Sequence, residues 1–310
     1  TAQFGNGVSA AISLEDQSAY RQAQGVSNVF NVTGDGTTVS TNNTAATWLA
    51  GSGPGTSYVA GTQVPDIVGQ LRVDQAWGLF QVAAASHQVR ASYYNPTNES
   101  LGHPGDKWGY AVMAALSLKN LPTGAGDSIN LDAVYADGAI RYVIGGTSAN
   151  NYAMFGSTGL TGVYQSLAIG SAVDGVFTTN GDIYTTKAWG IRGAFNHNWN
   201  PNWTTSVFGS YSSVDFGSTG GALYTGGLRA KTGAGTFTGD PNFNIIQIGT
   251  RTAWTPVKNL TFTGEVMWTK LDQNYSGVTN VVGAGGTKPA AARYELKDQD
   301  TWSGVIRAQR

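Results

Sequence analysis

The chain has 310 residues, a formal net charge of -1, 12% charged residues and 43 glycines. Ordinary globular domains carry about 25% charged residues and about 7% glycine, so this is not the composition of an average soluble enzyme. Near-zero net charge without a basic cluster argues against a nucleic-acid partner. The chain has no cysteine, which excludes a disulfide scaffold and cysteine-ligated metals.

No segment is apolar enough to form a transmembrane helix. Crossing a bilayer takes about 20 mostly apolar residues, whereas the longest apolar run here covers only residues 110–116. Any membrane-spanning part of this chain must therefore consist of strands.

Apolar and polar residues alternate with a period of two along many segments, which is typical of β-strands with two different faces. Met113 and Ile245 are large apolar side chains that interrupt otherwise polar faces. Near Ser86–Gln88 the alternation changes phase, which predicts a bulge or an early exit from the sheet. Asn6-Gly7 is a two-residue hairpin signal. The eleven predicted strands are 1–4, 8–15, 67–75, 79–91, 108–119, 128–143, 187–199, 203–213, 243–255, 260–271 and 301–310.

The connections alternate between short turns and long polar segments, which places the turns at one end of the sheet. Long loops without secondary structure are uncommon in soluble domains. Outer-membrane barrels, in contrast, have short periplasmic turns and long external loops. The long segments, for which the pattern predicts neither strand nor helix, are 17–65, 95–105, 147–182, 214–242 and 273–298.

Eight tryptophans lie near the ends of predicted strands. Trp189 and Trp199 are ten residues apart on the same face of one strand, and a tilted strand needs about 9–11 residues to cross a membrane. We interpret the tryptophans as two aromatic girdles, one at each membrane–water interface. Trp77, Trp199, Trp203 and Trp254 are near the short turns, and Trp108, Trp189, Trp268 and Trp302 are toward the long loops.

The face opposite the apolar one is mostly Gly, Ser, Thr, Ala and Asn rather than Lys and Glu, which suits a water-filled lumen better than a bulk surface. A bilayer also requires a closed sheet, because an open edge would leave backbone groups without partners. We therefore predict an all-β protein, a single antiparallel transmembrane β-barrel domain over residues 1–310. A soluble β-sandwich or β-solenoid is the alternative.

Six stretches have a specific character: 1–16 (TAQFGNGVSAAISLED), 64–78 (VPDIVGQLRVDQAWG), 103–112 (HPGDKWGYAV), 196–212 (NHNWNPNWTTSVFGSYS), 250–259 (TRTAWTPVKN) and 298–310 (DQDTWSGVIRAQR). They resemble the alphaproteobacterial general porins of the outer membrane, and the resemblance covers the whole chain, most weakly in the loops. It implies a homotrimer of 16-stranded barrels that lets small hydrophilic solutes and ions diffuse passively, with no cofactor and no turnover. In that family a third external loop folds inward to narrow the pore, and its counterpart would precede Thr1.

Strand counting leads to the same expectation. Single-chain bacterial barrels have even strand numbers, so about five further strands before Thr1 would give sixteen. Members of the family usually close with a terminal aromatic residue, and Arg310 departs from that pattern. We expect these residues to be the later two-thirds of a longer protein, without its N-terminal strands and constriction loop.

Charged residues on the polar face are the candidates for lining a pore. An arginine facing lipid would cost roughly 2–4 kcal/mol at the bilayer midplane, which favours an inward position. The arginines could form a basic wall facing acidic groups of the constriction loop, or act as structural partners, for example Arg72 with Asp132. Glu15 is a further candidate near the outer rim. The predicted pore-lining residues are Arg72, Asp74, Asp132, Arg192, Arg251, Glu265 and Arg307.

Enzymatic signals are weak. The sequence has no Gly-x-Ser-x-Gly motif, and His87, His103 and His197 are too scattered for a metal-binding motif. His87 could activate a serine, although a hydrogen-bonded bystander is the favoured interpretation. We predict an outer-membrane porin without enzymatic activity, cofactor or metal, in contact with membrane lipid and lipopolysaccharide. The alternative is a non-conducting outer-membrane or surface β-protein with a structural or adhesive role.

Overall fold

A computed structural model describes residues 1–16, 29–33, 63–91, 93–95, 98–144, 151–232, 236–282 and 291–310. Its strands, in chain order, are β1 (Ala2–Gly5), β2 (Val8–Glu15), β3 (Val29–Asn31), β4 (Asp66–Gln75), β5 (Gly78–Val89), β6 (Lys107–Lys119), β7 (Ser128–Asp137), β8 (Asn151–Gly156), β9 (Gln165–Ser171), β10 (Gly175–Phe177), β11 (Tyr184–Thr185), β12 (Lys187–Asn200), β13 (Trp203–Asp215), β14 (Thr236–Thr238), β15 (Phe243–Val257), β16 (Leu260–Gln273), β17 (Ser276–Val282), β18 (Ala291–Leu296) and β19 (Gln299–Gln309). Among the described residues there is one α-helix, α1, which covers Gly217–Thr232. None of the described helices is long and apolar enough to cross a membrane.

The main element is an eleven-stranded antiparallel sheet in the order β1-β2-β4-β5-β6-β7-β12-β13-β15-β16-β19. Its strands follow one another along the chain, so the sheet is a meander, and the number of predicted strands is confirmed. Within the described residues β1 and β19 are its two edges. The all-β class is likewise confirmed.

The first turn of the sheet forms as predicted. Asn6 and Gly7 both have positive φ angles, 47° and 73°, as a two-residue hairpin turn with the twist of its strands requires. A side chain at Gly7 would collide with the backbone carbonyl of Asp74. This close approach makes glycine necessary at that position.

The register gives the sheet one polar and one apolar face, because residues directly opposite each other on paired strands share a face. Following register partners from one strand to the next gives a row of residues across each face. On the polar face this row, from β2 to β19, is Ser9, Arg72, Gln81, Ala115, Asp132, Arg192, Ser210, Gln247, Thr269 and Thr301. The corresponding row on the apolar face contains Val8, Val73, Phe80, Leu116, Leu131, Gly193, Gly209, Ile248, Trp268 and Trp302. The alternation predicted from the sequence therefore holds across the sheet.

Two strand predictions need correction. The strand predicted over residues 128–143 ends at Asp137, because Gly138 turns the chain with φ 64° and a short 3-10 helix, Ile140–Tyr142, follows. The bulge predicted near Ser86–Gln88 is absent, since β5 and β6 pair without interruption as far as Val89 and Lys107. The alternation changes phase there because both faces of this end of β5 are buried.

All five long connections contain secondary structure among the described residues, so the prediction of loops without strands or helices is wrong for them. Segment 17–65 holds β3, and segment 95–105 holds a short 3-10 helix, Glu99–Leu101. Segment 147–182 holds β8, β9 and β10, segment 214–242 holds α1 and β14, and segment 273–298 holds β17 and β18. Together with β11, the strands of these segments form two small sheets, β14-β17-β18-β9-β8 and β11-β10-β3. Apart from β3 and its neighbours, most of segment 17–65 lies outside the described residues.

The main hydrophobic core lies on the polar face, at the long-loop end of the sheet. The long segments pack there against apolar side chains of the barrel strands, and Met113 and Ile245, which interrupt the polar pattern, contact this core. The barrel strands contribute Ala85, Ala111, Val134, Ala136, Ala188, Val214, Phe243 and Leu271, and the connection from β7 to β12 contributes Ile140, Val143, Ile144, Leu167, Ile169, Val173 and Val176.

Candidate functional site

The charged residues predicted to line a pore all lie on the polar face of the sheet. The register places Arg192 opposite Asp132 and Arg251 opposite Glu265. In strand order the set is Arg72 and Asp74 on β4, Asp132 on β7, Arg192 on β12, Arg251 on β15, Glu265 on β16 and Arg307 on β19. The structure thus brings these residues onto one surface. That this surface faces a channel remains a prediction.

Two of the four arginines are neutralised by neighbouring carboxylates. Nε of Arg192 lies 2.8 Å from Oδ1 of Asp132, and Nη2 of Arg72 lies 2.9 Å from Oδ2 of Asp74. Nζ of Lys119 is a second partner of Asp74, at 3.1 Å. The suggested pairing of Arg72 with Asp132 is wrong, because β5 and β6 lie between their strands.

The other two arginines differ in this respect. Within the described part of the chain, neither Arg251 nor Arg307 has a carboxylate within 4 Å of its side-chain nitrogens, although Glu265 lies opposite Arg251 in the register. Both arginines are exposed. Their charges are therefore exposed at the surface of the polar face and are not neutralised by a neighbouring carboxylate of the described residues.

Uncharged polar groups fill the spaces between these charges. Gln247 accepts a 3.2 Å hydrogen bond from Ser210 and donates one of 3.2 Å to Thr269, which links three strands. Asn196 accepts from Ser206 at 2.6 Å and donates to Ser128 at 3.1 Å. Hydroxyl and amide groups with spare hydrogen-bonding capacity make this wall compatible with water.

The connection from β7 to β12 crosses the polar face. On one side the hydroxyl of Tyr142 donates a 2.8 Å hydrogen bond to Asp66 of β4. On the other side Gln273 of β16 accepts from the backbone N–H of Ile169 at 3.0 Å and donates to the carbonyl of Leu167 at 3.1 Å. The sequence analysis predicted neither strand nor helix in residues 147–182 and did not foresee this packing. The apolar residues on the polar face were the signal that could have revealed it.

The histidines are held by hydrogen bonds to acceptors rather than placed beside a serine. Nδ1 of His87 lies 2.9 Å from Oδ1 of Asp66, and Nε2 lies 3.6 Å from Oδ2 of Asp174. Both ring nitrogens of His87 thus face carboxylates, which leaves no room for the serine-activating role. Within the described residues no group of three or more His, Asp or Glu side chains could hold a metal ion.

Asp127 is a buried carboxylate in the turn between β6 and β7. Its side chain accepts hydrogen bonds from the backbone N–H of Asn198 at 2.9 Å and the hydroxyl of Thr123 at 2.7 Å, and it lies 2.7 Å from Nδ1 of His197. These bonds, led by that from Asn198, lower the pKa of Asp127 to about 2. The carboxylate therefore fastens this turn to β12.

The tryptophans of the predicted girdles lie toward the two ends of the sheet. Trp203 and Trp254 are opposite each other and stack with ring centroids 5.6 Å apart, and Trp254 also stacks on Phe262. The exposed girdle residues are Trp77, Trp108, Trp189, Trp199, Trp203, Trp254 and Trp302. Trp268 is partly buried, and its Nε1 donates to Asp300 at 2.9 Å.

A large antiparallel meander with one polar and one apolar face, bordered by aromatic residues, is the wall of a transmembrane β-barrel. The chain matches the model of the Porin subfamily over residues 1–305 and therefore belongs to that porin family. The outer membrane channel DcaP of Acinetobacter baumannii is a similar solved structure, with 13% sequence identity and a TM-score of 0.44. The match covers 80% of this chain and 53% of that one, so the chain spans about half the length of that channel. No curated protein matches the chain significantly.

Proposed function

We propose that the polar face lines a water-filled channel in the bacterial outer membrane, through which small hydrophilic solutes and ions diffuse passively. The observation that carries this proposal is the continuous row from Ser9 to Thr301, in which every residue except Ala115 is polar. An apolar row of the same length lies on the opposite face. A wall with one wet and one lipid-facing side is what a channel through a bilayer requires.

The apolar face fits contact with lipid. Leu71, Val207, Ile248 and Val266 are exposed there, and an apolar outer band between aromatic girdles is typical of barrels in a membrane. Placing the face with Arg192 and Arg251 against lipid would instead expose charges to hydrocarbon. In the complete protein we propose sixteen strands, a homotrimer and lipopolysaccharide as a neighbouring lipid, on the basis of the family resemblance.

Charge on the polar face would give the channel a weak preference for anions. Between the core and the short turns, the described strands carry five cationic side chains, Arg72, Lys119, Arg192, Arg251 and Arg307, and three carboxylates, Asp74, Asp132 and Glu265. Charged side chains in a narrow pore bias which ions enter. Passive diffusion needs no cofactor and no catalytic group.

Planar-bilayer recording on the purified full-length protein tests this proposal. We expect stepwise, ohmic conductance increments, and slower gel migration of the unheated protein than of the boiled one if it is a trimer. Heat-denatured protein is the control and should give no steps. If the folded protein gives no steps either, it is a non-conducting surface β-protein. The folded long segments would then carry its structural or adhesive role.

A further inference from the structure

A cleft lies between α1 and the residues that lead from β14 into β15, at the long-loop end of the sheet. α1 packs by Tyr224 and Leu228 against the core on the polar face, and a different side of the helix lines the cleft. We propose that this cleft binds zwitterionic peptides of two or three residues before they enter the channel. The binding itself is independent of conduction, whereas its role in capturing solutes rests on the proposed channel function.

Small side chains create the space of the cleft. Ser218, Ala222 and Gly226 follow one another at intervals of four along α1, so they share one side of the helix. A Cβ atom at Gly226 would have nothing within 4 Å, which shows that the space in front of this side is open. The volume of the cleft is about 520 Å³, and small-molecule sites typically have about 300–1,000 Å³.

The cleft is longer than a single amino acid. The helix between Ser218 and Arg229, which both line it, is about 16 Å long at a rise of about 1.5 Å per residue. An extended tripeptide spans about 10 Å. A short peptide therefore fits along the cleft.

Arg229 supplies a positive charge from the last turn of α1. Its Nη2 donates a 3.3 Å hydrogen bond to the carbonyl of Phe237, and its guanidinium lies 5.3 Å from the centroid of the Phe237 ring. These contacts hold the side chain without neutralising its charge. Among the described carboxylates, none lies within 4 Å of its nitrogens. Because a guanidinium can bind a carboxylate through two parallel hydrogen bonds, Arg229 suits the C-terminus of a peptide.

Asp240 and Asp215 supply negative charges to the same cleft. Oδ1 of Asp240 accepts hydrogen bonds from the backbone N–H of Asn242 at 3.0 Å and from Nδ2 of Asn274 at 3.1 Å. Oδ1 of Asp215 accepts one of 2.8 Å from the backbone N–H of Gly217. These donors are uncharged, and the described part of the chain places no Lys, Arg or His nitrogen within 4 Å of either carboxylate. Both carboxylates therefore suit the ammonium group of a peptide.

The buried Tyr275 reports that Arg229 and Asp240 lie near each other. Its hydroxyl lies 2.8 Å from Oγ1 of Thr225, which lines the cleft. Burial raises the pKa of Tyr275 well above its usual range, the charge of Asp240 adds to the rise and the charge of Arg229 opposes it. The two opposite charges thus act on one hydroxyl, yet they form no ion pair with each other.

Opposite charges that are not paired with each other favour a ligand that carries both. A ligand with only negative charges would meet the two carboxylates, and one with only positive charges would meet Arg229. None of the described residues that line the cleft is aromatic, so it offers no flat surface on which a sugar or base ring could stack. A zwitterionic peptide satisfies both kinds of charge.

Calorimetric titration of the full-length protein in detergent with trialanine tests the site. We expect saturable binding that is roughly tenfold weaker for Arg229→Gln and for Asp240→Asn, since each loses a charged hydrogen bond. Trialanine blocked by an N-acetyl group and a C-terminal amide should bind at least as weakly. Lys231→Gln is the matched control, because Lys231 is in the same last turn but does not line the cleft, and its affinity should equal that of the unmodified protein.

Gly226→Leu separates loss of the cleft from loss of the fold. Leucine fills the open space in front of Gly226, keeps every charge and is a better helix former than glycine. We expect this variant to lose trialanine binding without a lower melting temperature. No binding to the unmodified protein, or equal binding to Gly226→Leu or of the blocked peptide, would overturn the inference. If the unmodified protein binds trialanine but gives no conductance in planar bilayers, the proposed function fails and the binding site is retained.

Discussion

Nε of Arg192 donates a 2.8 Å hydrogen bond to Oδ1 of Asp132 on the neighbouring strand. Both side chains lie on the polar face, directly opposite each other in the register of β7 and β12. The pair is partly exposed, so its contribution to stability is small, about 0–1 kcal/mol. Its larger consequence is electrostatic, because each charge cancels the other at the surface of the proposed channel.

Breaking this pair from either side should change ion selectivity in opposite directions. Asp132→Asn leaves the charge of Arg192 uncompensated and should shift the reversal potential in a salt gradient toward anion preference. Arg192→Gln leaves Asp132 uncompensated and should shift it toward cations. Shifts in the same direction for both variants would contradict the pairing.

Reversing the charge of an unpaired arginine should affect selectivity directly. Because Arg251 has no carboxylate within 4 Å among the described residues, Arg251→Glu should make the channel more cation-selective. Lys231→Glu, in the last turn of α1 and outside the strands of the main sheet, is the control of equal charge change. An unchanged reversal potential for Arg251→Glu would show that this residue does not face the conduction path.

Neighbouring residues of β15 test which face meets lipid. Ile248 is exposed on the apolar face, while Gln247 lies on the polar one. Ile248→Arg should lower the free energy of unfolding in lipid by roughly 2–4 kcal/mol, whereas Gln247→Arg should be tolerated. Urea unfolding in lipid vesicles measures both values, and an equal cost for the two variants would argue against a lipid-facing side.

The carboxylate of Asp127 should make stability depend on acid pH. Folding lowers its pKa from 3.8 to about 2, so the folded state binds the proton less readily than the unfolded state does. The stabilisation is therefore complete above the unfolded pKa and is lost as the pH falls from about 5 to about 2. Asp127→Asn should unfold at a lower temperature near neutral pH and lose part of this acid sensitivity.

Asp182→Asn is the comparison for Asp127→Asn, because Asp182 is an exposed carboxylate. Melting curves recorded by circular dichroism across the acid range should be the same for Asp182→Asn and the unmodified protein. An unmodified acid response in Asp127→Asn would mean that another group controls it.

The main sheet could be predicted from the sequence because its strands and turns depend on residues that are close together in the chain. Alternation of side chains between two faces needs only the period of a strand, and a turn such as Asn6-Gly7 carries its own backbone preference. These rules correctly give the eleven strands of the main sheet and place Arg72, Arg192 and Arg251 on its polar face. They also place Trp189 and Trp199 together on the apolar face.

The long segments could not be predicted in the same way, because distant parts of the chain determine their structure. β9 pairs with β18, more than a hundred residues further along the chain, and no local periodicity reveals such a partner. Apolar residues on the polar face, Met113 and Ile245, were visible irregularities whose cause was the core against which they pack. The suggested pairing of Arg72 with Asp132 was mistaken because β5 and β6 lie between their strands, and Arg72 pairs instead with Asp74 of its own strand.

The most direct test of a water-filled channel lined by the polar face is cysteine accessibility, measured in the full-length protein with any cysteine outside these 310 cysteine-free residues replaced by serine. We predict that Gln247→Cys reacts with a charged, membrane-impermeant thiol reagent added during bilayer recording and that the conductance falls in steps. Ile248→Cys should not respond. Reaction and block at Ile248→Cys but not at Gln247→Cys would contradict the assignment of the two faces and the channel itself.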